Sequence, residues 1–406
     1  MILIKNVKRL DGTIHDVKIE SESEEVIEAG GKLLMLPALI DPHVHFRVPG
    51  FDYKEDWITG AEAALQGGIT TVFDMPNNNP PCCSVETYEQ KKEMIDRELK
   101  SKEIPLRYHL YLGFSPQHAG SIGKLKKKAV ALKAYLGGSF GDLALNGDKD
   151  IEEAFRLAAQ DNMILAIHLE DHTLLEENRK KYQADEKPEI HGKIYSKEVS
   201  IKALERSLDL AEKYNTNVLF LQTSTKEEID LIRKAKKAQL SVYCEVTPQH
   251  LFLTEKDYLK EGTRLKVVPP LRSQEDQDAL WEGIKDGTVD FIGSAHSPHT
   301  IEEKSRSYHE ASSGVPALET MLPLLLNAYH QKKISLEKIV QLTHLNLEDI
   351  FSLGRNFDCV LVDLELEQKV DEASLKTKSK WSPYANWTLK GWPVYTIVQG
   401  RVFRLR

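Results

Sequence analysis

Cysteine is scarce: 406 residues hold four, Cys82, Cys83, Cys244 and Cys359. Sequence neighbours such as Cys82 and Cys83 rarely pair, and no CxxC spacing occurs, so neither a disulfide framework nor a cysteine-held zinc is expected. A reducing cytoplasm is the expected compartment. No run of about 18 apolar residues exists, so no membrane span is expected. Met1 to Asp16 lacks the basic-then-apolar pattern of a secretory signal. Positive charge is also short. Fifty-four Lys and Arg against 62 Asp and Glu leave a net charge of −8, which argues against a general nucleic-acid binder. The basic run Lys124 to Lys128 reads as solvated surface. There is no solenoid-type repeat and no low-complexity segment.

What is present alternates. Residues 1–40 and 355–406 read as short strands and turns, with Asp11-Gly12 as a hairpin signal and Cys359 to Leu364 and Tyr395 to Phe403 as strand runs. Between them, short apolar runs alternate with amphipathic helices. The runs are Thr70 to Asp74, Ala131 to Tyr135, Met163 to His168, Val218 to Leu221, Leu240 to Cys244 and Phe291 to Gly293. Helices are expected at Ile151 to Gln160 and Lys226 to Ala238. Continuous apolar runs are the mark of buried parallel strands. Their repetition predicts an α/β fold: a (β/α)8 TIM-type barrel over 41–354, with a small β-sandwich built from 1–40 and 355–406. The charged stretch Lys369 to Lys380 reads as a linker too short to be disordered. Polar residues end the barrel runs, where such folds place their active sites.

Asp41-Pro42-His43-Val44-His45 is the strongest local signal. Two histidines two apart on a strand share a face, and neutral imidazole is a good zinc ligand. Such a pair is also found in purely structural roles. Here it lies within Leu36-Pro37-Ala38-Leu39-Ile40-Asp41-Pro42-His43-Val44-His45-Phe46-Arg47-Val48-Pro49-Gly50. That string resembles the opening signature of dihydroorotases, in the amidohydrolase superfamily. Gly67 to Val72, Met75 to Pro81, Cys244 to Leu253 and Ser313 to Met321 also look like landmarks of that family. The pattern is most similar to the dihydroorotase domain of the animal multifunctional pyrimidine-synthesis protein.

The resemblance implies reversible closure of N-carbamoyl-aspartate to dihydroorotate, a step of pyrimidine biosynthesis. It implies metal ligands at His43, His45, Lys133 and His168, with Lys133 N-carboxylated so that it presents anionic oxygens. Arg47, Asn77 and His299 are implied to contact the substrate. Their structural alternatives are a surface salt bridge, a turn and a loop cap. Glu245 is expected to support a strand end, with a place close to the metals as the alternative. A homodimer and aspartate transcarbamoylase are the implied partners, beside a small-molecule ureide or imide.

Two positions depart from the pattern. Gln222 stands where the family carries a fourth histidine, and amide oxygen is a poor zinc ligand. Ala295 stands where the family carries the aspartate that binds metal and moves the proton. Adjacent His296 projects to the other side of an extended segment. A third change, Val268, replaces a residue that is often polar. These losses leave donors for at most one zinc. They lead to two expectations: a cyclic amidohydrolase with impaired turnover, or a catalytically inactive scaffold or regulatory partner.

Overall fold

A computed structural model describes residues 1–138 and 141–405. Eight parallel strands are the centre of the fold: Leu39–Val44, Ile69–Asp74, Arg107–Leu110, Leu132–Leu136, Leu165–His168, Val218–Phe220, Val242–Val246 and Phe291–Ile292. The first three pair in order, and so do the last five. The short strand Leu112–Gly113 continues the third and pairs with Leu132–Leu136. Closure runs from the eighth strand to the first. Ser294 N donates to Asp41 Oδ1 at 3.0 Å, and His45 N donates to His296 O at 2.9 Å. Helices such as Asp148–Gln160 and Lys226–Lys237 pack outside, each burying one apolar stripe. The result is a (β/α)8 barrel with a small β-sandwich, as the alternation of apolar runs predicts.

The strands of the two termini form one seven-stranded sheet. Cys359–Lys369 pairs antiparallel with both Leu33–Pro37 and Thr388–Val398. Ile2, Ile4, Leu361 and Ile397 fill a core of its own there. All four cysteines are buried thiols. No helix among the described residues is long and apolar enough to cross a membrane.

The stretch expected to be a charged linker is tied down instead. Residues 370–387 leave the terminal sheet and lie on the rim of the barrel. Glu319 accepts from Lys376 N at 2.6 Å, and Glu55 accepts from Lys378 N at 3.1 Å and from Thr377 Oγ1. Trp381 and Tyr384 join Val267 and Val315 in a separate apolar cluster. Trp381 Nε1 donates to His299 O at 2.8 Å. Buried acids satisfied by amides give this charged sequence its fixed place.

Candidate active site

The C-terminal strand ends open into a cavity of about 690 Å3. His43, His45, Arg47, Asn77, Lys133, His168, Gln222, Ala295 and His299 all line it. Every position singled out in the sequence as ligand, lost ligand or substrate contact therefore meets in one place. His296 does not line this cavity; it is wholly buried, with Nε2 3.3 Å from Glu55 Oε2 and Nδ1 accepting from Ala317 N.

The two histidines of the first strand stand with ring centroids 5.4 Å apart. Each has its Nδ1 occupied. His43 Nδ1 donates to Glu245 Oε2 at 2.9 Å, and His45 Nδ1 donates to Asn77 Oδ1 at 2.7 Å. A donor bond from Nδ1 fixes the tautomer and leaves the Nε2 lone pair for a ligand or metal. Burial, helped by Arg47, holds the His45 imidazole well below its usual range, so it is neutral. Glu245 does more than support a strand end. Its Oε2 also accepts from Gln222 N at 3.0 Å, and a Cβ at Gly293 would collide with its Oε1. Three strands thus meet on one carboxylate.

Lys133 is 2% exposed, and burial pushes its ammonium down to about 7. Its Nζ lies 4.5 Å from the centre of the Tyr135 ring. A buried amine that is partly unprotonated near neutral pH suits reaction with carbon dioxide. His168 Nε2 lies 3.1 Å from Glu170 Oε1. Neither oxygen of Glu170 accepts a hydrogen bond among the described residues.

Arg47 is held in a left-handed backbone conformation, φ 68°. Its Nη2 donates to Ser297 Oγ at 2.6 Å and lies 3.0 Å from His299 Nε2, while Nε donates to Pro298 O at 3.2 Å. His299 Nδ1 accepts from Lys54 Nζ at 3.1 Å. Burial, with Arg47 beside it, pushes His299 down to about 3, which keeps it neutral and makes it a poor base. Asn77 faces the same space, but its amide oxygen is engaged by His45.

Gln222 and Ala295 also have positive φ, 54° and 47°. Such a backbone costs a non-glycine residue about 1–2 kcal/mol, and strain of this kind collects at functional sites. Neither an amide nor a methyl group at these positions is a good zinc donor.

The donor set decides what metal the site can hold. Among the described residues, no group of three or more His, Cys, Asp or Glu could hold an ion. His43 and His45 reach the three protein ligands of a catalytic zinc only if carboxylated Lys133 joins them. Beside them stand His168 and Glu170, only two further donors, and Gln222 and Ala295 supply nothing suitable. With Lys133 carboxylated, the residues of the first strand would fit one zinc.

Sequence reasoning passed over Glu170, Ser297 and Lys266, which also line the cavity. Glu170 is two residues beyond His168, and strand alternation alone places the two on one side. Nothing local marks Ser297 or Lys266.

Residues 34–403 match the amidohydrolase family. The chain belongs to that family. It is 35% identical over 405 residues to a protein of Bacillus cytotoxicus named dihydroorotase, covering 97% of this chain and 92% of the relative. A dihydroorotase of Halalkalibacterium halodurans is 33% identical over 424 residues, covering 98% and 94%. Among solved structures, L-hydantoinase (dihydropyrimidinase) from Arthrobacter aurescens superposes with a TM-score of 0.91 at 27% identity, covering 99% of this chain and 95% of that one.

Proposed function

We propose that this protein is a cyclic amidohydrolase of dihydroorotase type, which binds a carboxylated cyclic ureide and has lost efficient turnover. One observation carries the reading. The Arg47 guanidinium is fixed by Ser297 and Pro298 in the cavity that the His43–His45 pair lines, while Ala295 brings no carboxylate into it. A guanidinium so held can grip a carboxylate with two parallel bonds. The curated relatives named dihydroorotase support this choice of substrate over an uncharged ring.

His43, His45 and carboxylated Lys133 would hold one zinc, which when bound lowers the pKa of a water and polarises the ring carbonyl. The chain's own side chains do the rest. Arg47 takes the substrate carboxylate, and Asn77 keeps its amide N–H groups for the ring. Glu245 and Asn77 hold the two imidazoles in place. Proton transfer is the missing part. Glu170 is the one carboxylate among the described lining residues, and it is turned toward His168. General acid–base catalysis contributes roughly 10²–10⁴ in rate, so its loss predicts slow hydrolysis with binding retained.

The test pairs two measurements on zinc-loaded protein with bicarbonate, against a chelated control: calorimetric binding of dihydroorotate and its hydrolysis. Binding with little or no turnover supports the reading. Absence of binding, or turnover unimproved by restoring His at 222 and Asp at 295, contradicts it. Ala295 and Gln222 also favour a second reading, a non-catalytic homodimer that assembles with aspartate transcarbamoylase. Co-elution of the two purified proteins on a sizing column would support it, and separate elution would count against it.

A further inference from the structure

The insert at 370–387 is longer than its place in the fold requires. It joins Cys359–Lys369 to Thr388–Val398, antiparallel neighbours whose ends Lys369 and Thr388 pair directly. A turn of two residues can make such a connection. Connections longer than about 12–15 residues are usually functional or disordered, and this one is anchored at several points.

Its anchors converge on His299, by two routes. The direct route is Trp381, 2% exposed, whose Nε1 donates to His299 O at 2.8 Å. The indole is itself clamped. Arg264, paired with Glu372, lies 5.3 Å from the ring centre. Lys304, held by the carbonyls of Lys266, Ser312 and Gly314, lies 5.8 Å from it. Both are within reach of cation–π attraction. Ser382 N, next in the chain, donates to Glu372 Oε1 at 2.9 Å. The second route runs through residues 54–56. Thr377 and Lys378 bind Glu55, and Lys378 Nζ pairs with Asp56 Oδ2 at 2.8 Å. Their neighbour Lys54 reaches His299 Nδ1 at 3.1 Å and pairs with Glu303 at 2.9 Å. The insert thus meets His299 at its carbonyl and, at one remove, at its ring.

His299 closes the short segment that cradles Arg47. Ser297 Oγ and Pro298 O accept from the guanidinium. The near end of this segment is tied into the barrel, Ser297 N donating to Val315 O at 2.9 Å. The far end is tied by Trp381. Arg47 has a strained backbone, φ 68°, and such a conformation persists only when its surroundings over-determine it. A group that must grip a planar carboxylate has to be held to within roughly 0.5 Å by its supports.

We propose that Trp381 is a positioning residue for ligand binding: through segment 297–299 it holds Arg47 where a ligand carboxylate is gripped. The terminal sheet thereby takes part in the site through the insert. The proposal rests on the reading of Arg47 given above.

The test is calorimetric titration of the zinc-loaded full chain with dihydroorotate and with dihydrouracil, which lacks the carboxylate. Trp381→Phe keeps an aromatic ring and removes the N–H. It should weaken dihydroorotate about tenfold, the worth of one hydrogen bond, and leave dihydrouracil and zinc content unchanged. Because Trp381 acts through Arg47, the same change made in Arg47→Met should cost dihydroorotate nothing further. Glu372→Ala frees Ser382 and Arg264 and serves if Trp381→Phe does not fold; it should weaken dihydroorotate about threefold, again only where Arg47 is present. Unchanged dihydroorotate binding, equal losses for both ligands, or a loss that persists in the Arg47→Met background overturns the proposal. Arg47→Met that weakens both ligands equally, or an unaltered protein that does not bind dihydroorotate, contradicts instead the reading of Arg47 on which the proposal stands.

Discussion

The two halves of the cavity floor have been treated differently. On one side, Arg47, His45 and Asn77 are each fixed by a named partner, and His299 is anchored through its carbonyl to Trp381. On the other side, Gln222 and Ala295 occupy strained backbone positions with side chains that cannot bind zinc well or carry a proton. Both backbones stay in the left-handed region. On the function proposed above, binding geometry and catalytic chemistry are separable in this scaffold, because different strand ends would supply them.

The largest expected effect comes from undoing the difference. Gln222→His with Ala295→Asp should raise dihydroorotate hydrolysis by about 10²–10⁴, the usual worth of a general acid–base group. No gain in a steady-state assay would mean that the binding half has diverged too. Next, Arg47→Met should weaken dihydroorotate about a hundredfold while leaving dihydrouracil, which lacks the carboxylate, unaffected. Equal losses for both ligands in calorimetry would show that Arg47 supports the fold and does not grip the substrate.

A smaller effect concerns the insert that backs the intact half. Burial raises the Glu319 carboxyl from its usual 4.5 to about 7. The folded state then holds that proton more tightly than the unfolded chain. Its contribution to stability is complete below about pH 4.5 and is lost as pH rises through about 7. Between pH 5 and 8 this amounts to about 2 kcal/mol. Glu319→Gln should flatten that part of the profile and be the more stable protein at pH 8, as read by urea denaturation. Parallel profiles would remove Glu319 from the account. The smallest effect is at the other half: Ala295→Gly should stabilise by about 0.5–1 kcal/mol, by relieving a positive φ. A fall in melting temperature would show that the alanine methyl packs usefully.

Most of the barrel could be read from the sequence, because buried parallel strands must be apolar on both faces. Val218–Phe220 and Leu165–His168 are clear cases. Arg107–Leu110 could not, since its polar residues find partners far along the chain. Arg107 Nε donates to Asp358 at 2.9 Å, and Tyr108 packs edge-on against Trp57 at 5.3 Å. The candidate site divides in the same way. The histidine pair, His43 and His45, is local in sequence, and its place at a strand end could be read there. The Glu245 bond to His43 spans 202 residues, and the Lys304 contacts depend on loops folding back on themselves. The stretch 369–380 looked like a linker because its charges are visible in sequence, whereas the amides that bind Glu55 and Glu319 are not.

Metal content tests the central claim most directly. On the proposed reading, one half offers two imidazoles and a lysine that can be carboxylated, and the half with Gln222 and Ala295 offers too little for a second tightly held ion. Protein loaded with zinc and bicarbonate, then desalted and analysed for metal, should hold about one zinc per chain and lose it in Lys133→Ala. Two zinc ions per chain would contradict the account, since Gln222 and Ala295 would then leave a complete binuclear centre.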